Sequence, residues 1–103
     1  MDTAQKQLER ALEIALEVHR GQHDKAGAAY ILHPLRVMLR MKDDAGRLVG
    51  VLHDVIEDSR DKPAPADRWD EDRLRREGFP EPVVEAVGLL TKPVDADGKE
   101  MDY

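Results

Sequence analysis

A chain of 103 residues has room for one domain at most, and with 4% aromatic and 37% charged residues its core must be built from Leu, Val, Ile and Ala. With no cysteine, disulfide frameworks and thiolate metal sites are excluded. The formal net charge of −6 disfavours nucleic-acid polymers and acidic lipid, so an anionic substrate needs local help, most obviously from a metal ion.

The start, Met1-Asp2-Thr3-Ala4-Gln5, is polar and lacks the apolar stretch of a secretory signal. No apolar run approaches the ~20 residues of a membrane-spanning helix. The expectation is a soluble, cytoplasmic protein without a membrane partner.

In chain order, residues 3–20 carry Leu8, Ala11, Leu12, Ala15 and Val18 at the spacing of one helix face, capped by Asp2 or Thr3 and ended by Gly21. His19 continues that stripe and points inward, most simply as a core histidine. Residues 22–30 read as a loop, in which His23 is solvated. Pro34 stands at a first helical position and opens a short apolar helix through Leu35, Val37, Met38, Leu39 and Met41.

Asp43 and Asp44 supply the next cap. From Ala45 to Asp58 the helical period runs through Leu48, Val49, Leu52, Val55 and Ile56, which predicts one continuous helix, the most buried of the set. Residues 59–67, with Pro63 and Pro65, form an exposed loop. A charged helix over about 70–77 stops at Gly78. A further helix opens at Pro82, carries Val83, Val84, Val87, Leu89 and Leu90, and ends before Pro93. Nothing alternates as a strand does, so the fold class is all-α. Residues 1–92 form the domain; the polar tail 93–103 lacks a helical period and reads as a connection to further helices.

The chemistry concentrates on the central helix. On a continuous helix His53 stacks over Glu57 and Asp54 over Asp58, giving two adjacent polar columns. Burying three carboxylates and an imidazole together costs several kcal/mol unless they are neutralised, which a divalent cation does economically. Imidazole and carboxylate ligands without thiolate favour Mn, Fe, Co or Zn. The plainer alternative is a solvated acidic stripe, against which the flanking Val51, Leu52, Val55 and Ile56 leave little room. His33, at the mouth of the preceding helix, is either a turn residue biased away from helical geometry by Pro34 or a further ligand.

The runs His19-Arg20-Gly21-Gln22, Lys25-Ala26-Gly27, Tyr30-Ile31-Leu32-His33-Pro34, Leu35-Arg36-Val37, Leu52-His53-Asp54-Val55-Ile56-Glu57-Asp58-Ser59 and Leu90-Thr91-Lys92 resemble, in order and spacing, the hydrolase domain of the Rel/Spo alarmone family. The resemblance implies an HD-type helical bundle of about five helices, of which this chain is the N-terminal part, acting as a (p)ppGpp 3′-pyrophosphohydrolase with one manganese ion. By that analogy His33, His53 and Asp54 are metal ligands, and Glu57 and Asp58 position and deprotonate the attacking water. Lys25 and Tyr30 belong to the nucleotide pocket, with Gln22 and Gly27 shaping its loop; read without the analogy, Lys25 is a solvated lysine and Tyr30 a core anchor.

The resemblance departs at Asp24, where those hydrolases usually place an arginine beside the guanine; Asp24-Lys25 is closer to the small stand-alone HD proteins related to them. It also implies a fourth ligand, an aspartate on a helix beyond Lys92, where this chain offers Asp95, Asp97 and Asp102. No synthetase domain fits in the chain, so synthesis is not expected of it. The alternative to a hydrolase is a catalytically inactive HD remnant that binds a nucleotide or a protein partner. A groove between too few helices further predicts an exposed apolar patch or a homo-oligomer that buries it.

Overall fold

The computed structural model describes residues 3–91. Its architecture is all-α, as expected from the sequence. The elements are α1 (Thr3–His19), α2 (Leu32–Arg40), α3 (Asp44–Leu52), α4 (Val55–Ser59), α5 (Glu71–Arg76) and α6 (Glu81–Leu90), with a 3-10 turn at Pro65–Asp67. The β-type pairing among the described residues is a single bridge between His23 and Ala29. Asp2, Lys92 and the tail from Pro93 to Tyr103, with Asp95, Asp97 and Asp102, lie outside the described residues.

α1 buries Ala11, Ile14, Ala15, Val18 and His19, a face that packs on α3 and α4. Each large aliphatic side chain taken out of water in this way contributes about 1.5–3 kcal/mol. Gly21 ends the helix at φ +82°, a left-handed geometry that glycine adopts without a Cβ penalty. The loop that follows is organised by Asp24, whose Oδ1 accepts from the backbone N–H groups of Ala26 and Ala28, both at 2.9 Å.

α2 corrects the expected helix start. It begins at Leu32, so Pro34 is the third helical residue and His33 lies inside the helix instead of before it. The proline is tolerated because N–H groups of a first turn have no intrahelical acceptor. The His33 N–H is satisfied instead by the Tyr30 carbonyl at 2.9 Å.

α3 is capped by Asp43, which accepts from the Gly46 N–H at 2.6 Å. It is the hub, packed against α1, α2 and α6. Where it crosses α2, a Cβ on Gly50 would stand 3.1 Å from the backbone nitrogen of Met38, so the close approach requires glycine.

The central helix is not continuous. It stops at Leu52 and restarts at Val55, with Asp54 at φ −104° and ψ 1°. Counting the interrupted α3–α4 pair as one helix gives five helices; counting them apart gives six among the described residues. The cause of the break is local: the His53 ring reaches back with Nδ1 2.7 Å from the Gly50 carbonyl. That carbonyl is the acceptor an uninterrupted helix would offer to the Asp54 N–H.

Beyond α4 the core is completed by aromatic residues. Trp69, 5% exposed, donates its backbone N–H to Ser59 Oγ at 2.8 Å and carries the Arg73 guanidinium 3.7 Å above its ring. α5 is capped by Asp70, and Arg10 on α1 forms a bidentate pair with Glu77 just past its end. Large apolar side chains nonetheless face solvent, notably Leu39 at 77% and Leu89 at 80% exposure. No helix among the described residues is long and apolar enough to cross a membrane.

Candidate functional site

Three elements converge where the central helix breaks. The 20–31 loop brings Tyr30, the first turn of α2 brings His33, and the α3–α4 junction brings His53 and Asp54. One ligand atom each of His33, His53 and Asp54 lies within 4.8 Å of the other two. His53 Nε2 is 3.0 Å from Asp54 Oδ2 and 3.2 Å from His33 Nε2, and His33 Nε2 is 3.6 Å from the same carboxylate oxygen.

The chemistry of these donors suits a cation. A backbone carbonyl only accepts, so the Gly50 contact keeps a proton on His53 Nδ1, while Nε2 shares a proton with Asp54 and would offer a lone pair once a cation displaced that proton. That lone pair, His33 Nε2 and an acidic oxygen then face one point, and a positive centre there relieves their mutual repulsion. The Tyr30 hydroxyl donates to Asp54 Oδ2 at 2.5 Å and fixes the orientation of the carboxylate. This is the outer-layer support that ligating side chains characteristically have.

The electrostatics are consistent with a charge-dense, partly dried site. Burial opposes the Asp54 charge, but hydrogen bonds from His53 and Tyr30 outweigh it and hold the carboxyl below its ordinary range. The same hydrogen bond with Asp54 holds the His53 imidazole above its usual value, against the effect of burial. Burial, then the bond to Asp54, pushes the Tyr30 phenol well up, so it stays a donor at neutral pH.

Glu57 and Asp58 sit half-buried on α4, one turn beyond the cluster. The break alters the expected stacked columns, although Asp58 keeps its relation to Asp54 through an N–H to carbonyl bond of 2.9 Å. Tyr30 is half-buried, its ring 4.9 Å from that of His19 and 5.6 Å from that of His33, and its hydroxyl donates to Asp54. Lys25 is exposed on the loop. Asp24, at the position of the family's arginine, has its carboxylate engaged in the turn it organises.

Sequence reasoning missed two contributors. Gly50 both admits α2 and fixes the His53 tautomer; its one sequence signal is a glycine three residues before a histidine in an otherwise apolar run. The second is the contact of His19 with Gln22 and Asp58, at 2.7 Å and 3.4 Å from its Nδ1. His19 was expected in the core and is there, with 2% exposure.

No protein-family model matches the chain. Among curated proteins it is 37% identical over 98 residues to the guanosine-3′,5′-bis(diphosphate) 3′-pyrophosphohydrolase of Borreliella burgdorferi, a match over 91% of this chain and 13% of the relative. It is also 37% identical over 99 residues to the bifunctional (p)ppGpp synthase/hydrolase SpoT of Escherichia coli, covering 92% of this chain and 13% of that protein. A GTP pyrophosphokinase of Streptomyces antibioticus matches at 41% over 93 residues, 86% of this chain and 10% of the relative. The chain thus spans about an eighth of the length of the first two and aligns over nearly all of its own. It is a relative of the Rel/Spo (p)ppGpp hydrolase/synthetase proteins.

Proposed function

We propose that the chain carries the water-activating part of a metal-dependent nucleotide phosphohydrolase, with a (p)ppGpp-like 3′-pyrophosphate ester as substrate. The observation that carries this reading is the convergence of His33, His53 and Asp54 on one point, with Glu57 and Asp58 one turn away. These three residues would hold a divalent ion, manganese by analogy with the family. When bound, such an ion supplies Lewis acidity and offsets phosphoryl charge.

The remaining work falls to the chain's own groups. Tyr30 holds the Asp54 carboxylate in place, and the Gly50 carbonyl holds the His53 ring. Glu57 and Asp58 orient a water and accept its proton as its oxygen attacks phosphorus. The bond from phosphorus to the 3′-oxygen breaks, that oxygen leaves with the nucleotide and takes up a proton, in balance with the one taken from water, and pyrophosphate is released. Lys25, on the exposed loop, meets the charge of the nucleotide phosphates.

The test is pyrophosphate and phosphate release by the full chain with Mn²⁺ from a nucleotide panel that includes ppGpp. Release from ppGpp is expected, falling by about 100-fold or more in Asp54→Ala and Glu57→Ala. Stoichiometric nucleotide binding without release of either product would replace this reading with that of an inactive, nucleotide-binding remnant.

A further inference from the structure

His19 is the one histidine whose ring is withdrawn completely from solvent, its side chain 0% exposed. Nδ1 lies 2.7 Å from Gln22 Oε1 and 3.4 Å from Asp58 Oδ2. Nε2 is buried with no hydrogen-bond partner among the described residues. Both neighbours of Nδ1 are acceptor oxygens, so a proton belongs there; its one hydrogen bonds Gln22 with Asp58 in electrostatic contact, and in the neutral ring the lone pair is left at Nε2. The protein therefore tolerates an unmatched buried nitrogen in order to present an N–H at the opposite edge. A leucine of similar bulk would fill the space without that cost.

The ring is held where it acts. Gln22, which makes the short bond, is itself pinned by its carbonyl accepting the Tyr30 N–H at 2.9 Å. The His19 ring also lies against Tyr30, whose hydroxyl is on Asp54. One side chain at the end of α1 thus touches both the residue that orients Asp54 and the carboxylate of Asp58.

We propose that His19 is a positioning residue: its Nδ1–H, bonded to Gln22, turns a positive edge toward the Asp58 carboxylate 3.4 Å away and sets the orientation of that carboxylate for its work on water. The inference rests on the hydrolase reading for its consequence, but the contact itself is measurable without turnover.

Two experiments on the full chain test it. The first is nitrogen-15 NMR of the histidine side chains at neutral pH, which distinguishes the two tautomers. His19 is expected with its proton on Nδ1, and its ring signals are expected to move in Asp58→Ala. A proton on Nε2, or ring signals indifferent to Asp58→Ala, overturns the proposal whether or not the protein is active.

The second is steady-state kinetics of His19→Leu and His19→Asn, the asparagine amide placing an N–H near the position of Nδ1. His19→Leu is expected to lower kcat by about 10-fold or more with KM for the nucleotide and Mn²⁺ affinity little changed, and His19→Asn to recover most of the loss. Wild-type kcat in a folded His19→Leu variant, or an Asn variant as slow as Leu, overturns it. If His19→Leu does not fold, His19→Asn and the NMR signals decide. If the wild type turns nothing over, the hydrolase reading fails, and the tautomer and its response to Asp58→Ala still decide the contact.

Discussion

The Tyr30 hydroxyl and the Gly50 carbonyl act on the site without being candidates to bind the ion. Each holds a candidate ligand side chain in one orientation, so each is expected to bear on metal affinity more than on folding. Tyr30→Phe keeps the ring between His19 and His33 and removes only the hydrogen bond to Asp54. It is expected to weaken Mn²⁺ binding by about 10- to 100-fold, read by calorimetric titration, with only a small change in Tm. Unchanged affinity would show that Asp54 is oriented by other means. The histidines and Asp54 were legible in the sequence because imidazole and carboxylate have few cheap reasons to gather. Tyr30's contact was not, since a tyrosine 24 residues away carries no pattern that assigns its hydroxyl to one particular oxygen.

Among elements, the α2–α3 crossing and the α3–α4 break determine how His33 meets His53. Helix propensity alone favours Gly50→Ala by up to about 1 kcal/mol. The new methyl would meet Met38 backbone at 3.1–3.2 Å and Val37 at 3.2 Å, and overpacking of this kind costs about 1–3 kcal/mol. The steric effect is expected to win, lowering stability by about 1 kcal/mol in denaturant melts and weakening Mn²⁺ binding as α2 carries His33 away.

A second joint, between α1 and the end of α5, responds to acid. The Arg10 hydrogen bond holds Glu77 below its ordinary value of 4.5. Its stabilising contribution is therefore complete above that value and disappears as pH falls through the depressed one. The pair is partly solvated, so Glu77→Gln is expected to cost no more than about 1 kcal/mol at neutral pH. The cost should shrink toward zero in acid, as read from Tm against pH. The helices were visible in the sequence by period and caps, Asp43 and Gly21 among them. The break was not, because Val51, Leu52, Val55 and Ile56 keep the apolar period running through it. What interrupts the helix is a side chain competing for a backbone acceptor, which periodicity does not register.

For the whole molecule, the sequence predicts an exposed apolar patch or an oligomer that buries it; among the described residues Leu39 and Leu89 are 77% and 80% exposed. Such groups favour association in water. Sedimentation of the full chain is expected to depend on concentration, and Leu39→Lys with Leu89→Lys is expected to reduce that dependence. Because both side chains are already solvated, Tm should move little; a monomer at every concentration would contradict this.

Trp69 adds a practical property. It is the only tryptophan in the sequence, buried and joined by its backbone to Ser59 at the end of the short helix that carries Glu57 and Asp58. The protein therefore contains one indole, placed at the seam between its catalytic candidates and its C-terminal helices. Its emission colour gives a built-in optical readout of whether that seam is closed, without any added label.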